Sequence, residues 1–110
     1  MEIRENKNIL IIAPICTKVD KFKSDMILEK IISEKRQVAI DLKYVQDCSI
    51  EFINTLKSLP AKRIGVFNIP SDIFVLFNIM KVDKLVNLFV SEIDFKENSR
   101  LLINRQFRVL

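Results

Sequence analysis

The sequence predicts a single α/β domain, with a mixed β-sheet of about five strands covered by helices in the order ββαβαβαβα. Three observations carry this reading. Short runs of β-branched and aliphatic residues alternate with segments whose apolar residues recur every three to four positions. Ser49, Pro60, Pro70 and Ser91 punctuate the chain where helices should start or stop. The 110 residues are 49% hydrophobic and 29% charged, too apolar for a disordered chain and enough for one core in one domain.

Residues 2–5 and 8–15 read as two strands joined by a turn at Asn6-Lys7-Asn8. Ile9-Leu10-Ile11-Ile12 suits a buried strand, and Pro14 should end its pairing or mark an edge. From Asp20 to about Lys35 the spacing predicts a helix, with Phe22, Met26, Ile27, Ile31 and Ile32 on its apolar face. Val38–Leu42 is a short strand. Ser49 is placed to cap the next helix, because its hydroxyl can accept a free backbone N–H. That helix carries Ile50, Ile53, Leu56 and Leu59 on one face, and Pro60 stops it. Lys62–Phe67 is a strand, Pro70 leads the helix Ser71–Met80 from its first turn, and Leu88-Phe89-Val90 is the fifth strand. Ser91 and Asp94 form an S-x-x-D capping pair that opens the last helix. The parallel crossovers are expected to be right-handed. Residues 1–104 are read as the domain and 105–110 as a basic tail, where the alternation of Ile103, Arg105, Phe107 and Val109 sets a short strand or extended tail against continued helix.

Composition excludes much chemistry. The chain has no histidine, so it can build no Ser–His–Asp triad, no Cys–His pair and no imidazole metal site. A single glycine, Gly65, rules out a Gly-rich phosphate loop; inside a strand it allows close backbone approach instead. Two cysteines, Cys16 and Cys48, cannot form a four-thiolate zinc site. A non-enzymatic binding module is the default reading.

The net charge of +4 is unevenly placed. Residues 1–55 hold nine Lys/Arg and nine Asp/Glu, whereas residues 56–110 hold nine and five. The stretch Asn98–Leu110 has Arg100, Arg105 and Arg108 and no acid. Such a tail is usually a solvated terminus, although it can serve nucleic acid, an anionic membrane or an acidic partner. Glu2 and Glu5 argue against a secretory leader, and the ten uncharged residues between Lys7 and Lys18 are too few to span a bilayer. No membrane insertion is expected. Free-looking cysteines fit a reducing compartment, so the cytoplasm is the expected address.

Four stretches resemble the STAS domains, the family of anti-sigma factor antagonists and of cytosolic domains of sulfate transporters. Thr17-Lys18-Val19-Asp20 stands where the family has Gly-Glu-Leu-Asp, and Val38–Leu42 resembles its apolar strand ending in Asp-Leu. Asn68-Ile69-Pro70-Ser71 through Val82-Asp83-Lys84-Leu85 resembles its turn, helix and following run, and Ser91–Phe95 resembles the start of its last helix. The resemblance covers most of the chain and rests on order and spacing together. It places glycines at Thr17, within Ser49–Phe52 and at Lys81, none of which is glycine here; a left-handed residue at Lys81 would cost roughly 1 kcal/mol.

The resemblance implies partner switching. A serine at the start of the second long helix is phosphorylated by a kinase that also holds a sigma factor, and the phosphorylated form lets go. Phosphate adds about −1.5 to −2 charge, which an acidic or apolar interface rejects. The family writes Asp-Ser-Ser-Gly at this point, whereas the chain has Asp47-Cys48-Ser49-Ile50-Glu51-Phe52, and two registers are open. One places Ser49 on the acceptor. The ungapped one places Glu51 there, a permanent negative charge that phosphate cannot switch. Asp20, Asp47, Cys48, Ser49, Ile50 and Glu51 are therefore the expected switch and partner-binding residues, with Ser49 the phosphorylation candidate. The partner implied is an anti-sigma factor or serine kinase-like protein. No cofactor is expected beyond weak nucleotide binding, which the resemblance implies.

Other readings compete. Asp20, Asp41 and Asp47 could hold a cation if grouped, although such acids more often cap helices, and no metal site is assigned. Cys48 at a helix N-terminus is either reactive or, more commonly, a packing residue. Phe74 and Val75 have nothing obvious to cover, which suggests a protein-binding face or a homodimer contact. The leading function is an anti-sigma factor antagonist-like regulator. The alternatives are a small STAS subunit bound to the ABC ATPase of a lipid-transport complex, and nucleic-acid binding through the basic tail, which is the less expected of the two.

Overall fold

The computed structural model describes residues 1–59 and 64–97. The expected Asn6 turn forms because the Asn6 side-chain oxygen accepts from the backbone N–H groups of Asn8 (2.8 Å) and Ile9 (2.9 Å). It joins β1 (Glu2–Glu5) to β2 (Ile9–Ala13) as an antiparallel pair, which ends just before Pro14. β2 pairs in parallel with β4 (Gln37–Asp41), β4 with β6 (Ile64–Phe67), and β6 with β7 (Asn87–Leu88). The result is a mixed five-stranded sheet of order β1-β2-β4-β6-β7.

From β2 onward the sheet grows one way, so connections of a single hand must all fall on one face. Helices α1 (Lys21–Ile32), α2 (Ile50–Ser58) and α3 (Ser71–Ile79) occupy it. Their Ile27, Ile31, Phe52, Ile53, Leu56, Ile73 and Phe77 pack with Leu10, Ile12, Val38, Ile40, Ile64 and Val66 from alternate strand positions. A 3-10 turn, Val82–Lys84, returns the chain to β7. Parallel strands need cover on both faces, and among the described residues the other face is covered by α4 (Glu92–Lys96), one turn and a half long.

The floor beneath this helix is small. Ala39 lies beside Gly65 in the central strands, and Phe95 of α4 drops onto them among Ile11, Phe67 and Phe89. The Phe95 ring stacks on Phe67 at 5.8 Å and meets Phe89 edge-on at 5.5 Å. A Cβ at Gly65 would come within 2.8 Å of Phe95 Cδ1 and 3.0 Å of Phe89 Cε2. The close approach expected at Gly65 is thus made by aromatic rings.

Beside this patch the fully buried Asp41 closes β4. Its Oδ1 accepts from the Lys43 backbone N–H and the Asn68 side-chain amide, both at 3.0 Å, and its Oδ2 accepts from Arg4 at 2.9 Å. The same Arg4 nitrogen donates to Glu92 of α4 at 2.6 Å. Burial disfavours the Arg4 charge, but the bonds to Asp41 and Glu92 outweigh it and raise its pKa. Lys96, then Arg4, holds the Glu92 carboxyl below its ordinary range against the opposing effect of burial.

Several expectations are corrected. The buried face of α1 is Ser24, Ile27 and Ile31, while Phe22 and Ile32 are 69% and 68% exposed and Met26 is also exposed. The hydroxyl of Ser24 is satisfied locally by the Asp20 carbonyl at 2.8 Å, which lets it turn inward. In α2, Phe52 is buried and Ile50 is exposed, because the helix turns residues 52, 53 and 56 toward the core. Pro70 is the N-cap of α3 rather than a first-turn residue. The fifth strand of the main sheet is Asn87–Leu88, starting one residue and ending two residues earlier than expected, after which Phe89 turns to the second face. Lys81 adopts the left-handed conformation (φ 63°) despite its side chain, as does Asn68 (φ 55°). Expectations for Pro60, for the start of strand 62–67 and for the tail, including Arg100, Arg105, Phe107 and Arg108, fall outside the described residues.

Gly65→Ala should destabilise the protein by about 1–3 kcal/mol, read from the urea midpoint at unchanged slope. In a Phe95→Leu background the cost of the alanine should shrink. An equal cost in both backgrounds would show that ring contact is not the reason for glycine.

Candidate functional site

The chain leaves the carboxyl ends of β2 and β4 through two short extended pieces, β3 (Lys18–Val19) and β5 (Asp47–Cys48), which pair in parallel apart from the main sheet. The Thr17 carbonyl accepts from Gln46 N–H (2.9 Å) and Asp47 N–H (3.0 Å), and the Val19 carbonyl accepts from Ser49 N–H (2.9 Å). Val19 and Cys48 point into the core, and Lys18 and Asp47 point to solvent.

Each strand runs straight into a helix. Asp20 caps α1, its Oδ1 accepting from Lys23 N–H at 2.9 Å, and Ser49 caps α2, its Oγ accepting from Phe52 N–H at 3.3 Å. Both caps have extended backbone, φ −88° and ψ −174° for Asp20, φ −87° and ψ 165° for Ser49. With Val19 opposite Cys48, the two helix N-termini are set side by side. The Asp20 and Ser49 backbones therefore lie about one strand spacing, ~4.8 Å, apart.

This arrangement brings together Asp20, Asp47, Cys48, Ser49, Ile50 and Glu51. Ser49 is half-buried, and Asp47, Ile50, Glu51 and Asp20 are exposed. Glu51 lies in the first turn of α2, where a negative charge favours the helix dipole, whereas Ser49 is the cap itself. Asp47 Oδ1 accepts from the N–H of Cys48 at 2.8 Å. Three carboxylates, Asp20, Asp47 and Glu51, thus lie within two residues of the serine along the chain or next to it in the ladder register, with Lys18 paired across the ladder from Asp47 and Lys21 and Lys23 in the first turn of α1.

The thiol of Cys48 is buried, and desolvation, aided by the Asp47 charge, pushes its pKa up to about 11. It packs in the core and is not an activated nucleophile. Cys16 is half-buried and burial raises its pKa as well. The three aspartates considered for a cation are not brought together, since Asp41 faces the second face and spends its oxygens on Arg4, Asn68 and Lys43. Phe74 and Val75 lie on α3. Phe74 is half-buried against the core, which corrects the expectation that it covers nothing, and Val75 is 56% exposed with Ile79 one turn further at 69%. A cleft of about 110 Å³ between β1, β2 and α4, lined by Arg4, Ile9, Ile11, Glu92 and Lys96, opens on the face opposite the serine. No helix among the described residues is long and apolar enough to cross a membrane.

The ladder itself escaped sequence reading, because two residues give no periodicity. Its trace was nevertheless present: Lys18-Val19-Asp20 and Asp47-Cys48-Ser49 share one layout of charged, apolar and capping residue. No protein-family model and no curated protein matches the chain.

At pH 8 a thiol reagent such as dithionitrobenzoate should modify Cys16 before Cys48, and the Cys48 rate should keep rising toward pH 11. Fast labelling of Cys48 in the folded protein, with a plateau near pH 8.5, would contradict the burial described here.

Proposed function

We propose that this protein is a non-enzymatic protein-interaction module of the STAS kind. It acts as an anti-sigma factor antagonist-like regulator, and its switch is phosphorylation of Ser49 by a serine kinase-like partner. The observation that carries this reading is that Ser49, not Glu51, is the half-exposed N-cap of α2. A serine there presents its oxygen at the surface, and the helix N-terminus accommodates added negative charge. A partner packed on this end of α2 by apolar contact would reject a phosphate there, because its charge would have to be desolvated. The exposed Ile50, beside the serine in sequence, offers apolar contact to such a partner.

Purification of the chain from its host under phosphatase inhibition, followed by mass spectrometry, tests this reading. The expected result is a phosphate on Ser49 and a co-purifying kinase-like protein that is retained by Ser49→Ala and lost with Ser49→Asp. Absence of phosphate on Ser49 together with identical partner retention by both variants would sink it.

A further inference from the structure

We infer that Asp20 reads the charge on Ser49 through the β3–β5 ladder, so that the switch acts on the first turn of α1 as well as on α2. This rests on Ser49 being the modified residue and adds where the signal goes. The two caps are locked at one level by the Ser49 N–H to Val19 carbonyl bond, and neither backbone can retreat without breaking the ladder. Asp20 holds α1 with both its groups. Its carboxylate takes the Lys23 N–H, and its carbonyl takes the N–H of Ser24 at 2.9 Å and the Ser24 hydroxyl at 2.8 Å.

A negative charge on Ser49 faces the Asp20 carboxylate across a single strand spacing, at the surface, where added repulsion is met by rotation of the exposed side chain. The side chain that gives way is the Asp20 carboxylate, whose one hydrogen bond among the described residues is the cap bond to Lys23. Release of that bond leaves the Lys23 N–H uncapped in the first turn of α1, while the Asp20 carbonyl keeps its bonds to Ser24.

Asparagine and aspartate cap helices about equally well, so Ser49→Asp and Ser49→Asn keep the fold and differ only in charge. Amide exchange at Lys23, followed by NMR at low salt, should be about three-fold faster in Ser49→Asp than in Ser49→Asn, the effect of two unit charges some 6 Å apart in water. Added negative charge slows base-catalysed exchange by itself, so acceleration reports opening of the cap. In the Asp20→Asn background the difference should vanish. Equal Lys23 rates in the two variants, or a difference that survives Asp20→Asn, would overturn the inference. The comparison needs no kinase, so its outcome is separate from whether Ser49 is modified in the host.

Discussion

The carboxylate of Asp41 is the point on which the carboxyl edge of the sheet depends. It is buried, and a buried charge is tolerated only when its oxygens are occupied. Each of its donors belongs to a different part of the chain. Lys43 N–H starts the segment toward β5, Asn68 fixes the left-handed exit from β6, and Arg4 ties in β1 and, through Glu92, α4. Removing one partner of such a set typically costs more than the set contributes, because the remaining charge is left uncompensated. The segment released at Lys43 is the one that carries Asp47, Cys48 and Ser49 to the ladder with β3, so the candidate switch inherits its position from this anchor.

The two faces of the sheet obey the same covering requirement with different means. One face uses three helices and a wide aliphatic surface. On the other, among the described residues, Ala39 and Gly65 form a shallow floor onto which α4 sets the ring of Phe95. The one glycine of the chain, Gly65, stands where a side chain would meet the rings of Phe95 and Phe89. The left-handed turn at Lys81 is made without glycine and bears the conformational cost of a side chain.

What was legible in the sequence was local. The Asn6 turn and the Ser49 and Ser91 caps depend on hydrogen bonds within three or four residues, the alternation of strand and helix on the local spacing of apolar side chains, and they appear where expected. What was not legible depends on how a helix is rotated against the sheet. Phe22, Met26 and Ile32 have the right spacing for a core face, but Ser24 satisfies its hydroxyl on Asp20 and turns inward, so the helix rolls these apolar residues to the surface. Likewise Ile50 gives way to Phe52, and Asp41, weighed from the sequence as a cation ligand or helix cap, becomes a buried acceptor of three hydrogen bonds. The site was half visible: both caps could be named from residue type, and their adjacency needed a ladder two residues long.

A nuclear Overhauser spectrum of the labelled protein tests the juxtaposition of Asp20 and Ser49 most directly. The expected result is a set of cross-peaks from the amide protons of Asp47 and Ser49 to residues 17–19 and from Ser49 to Asp20, with α1 and α2 both formed. Formed helices without those cross-peaks would contradict the side-by-side N-termini on which the switch is built.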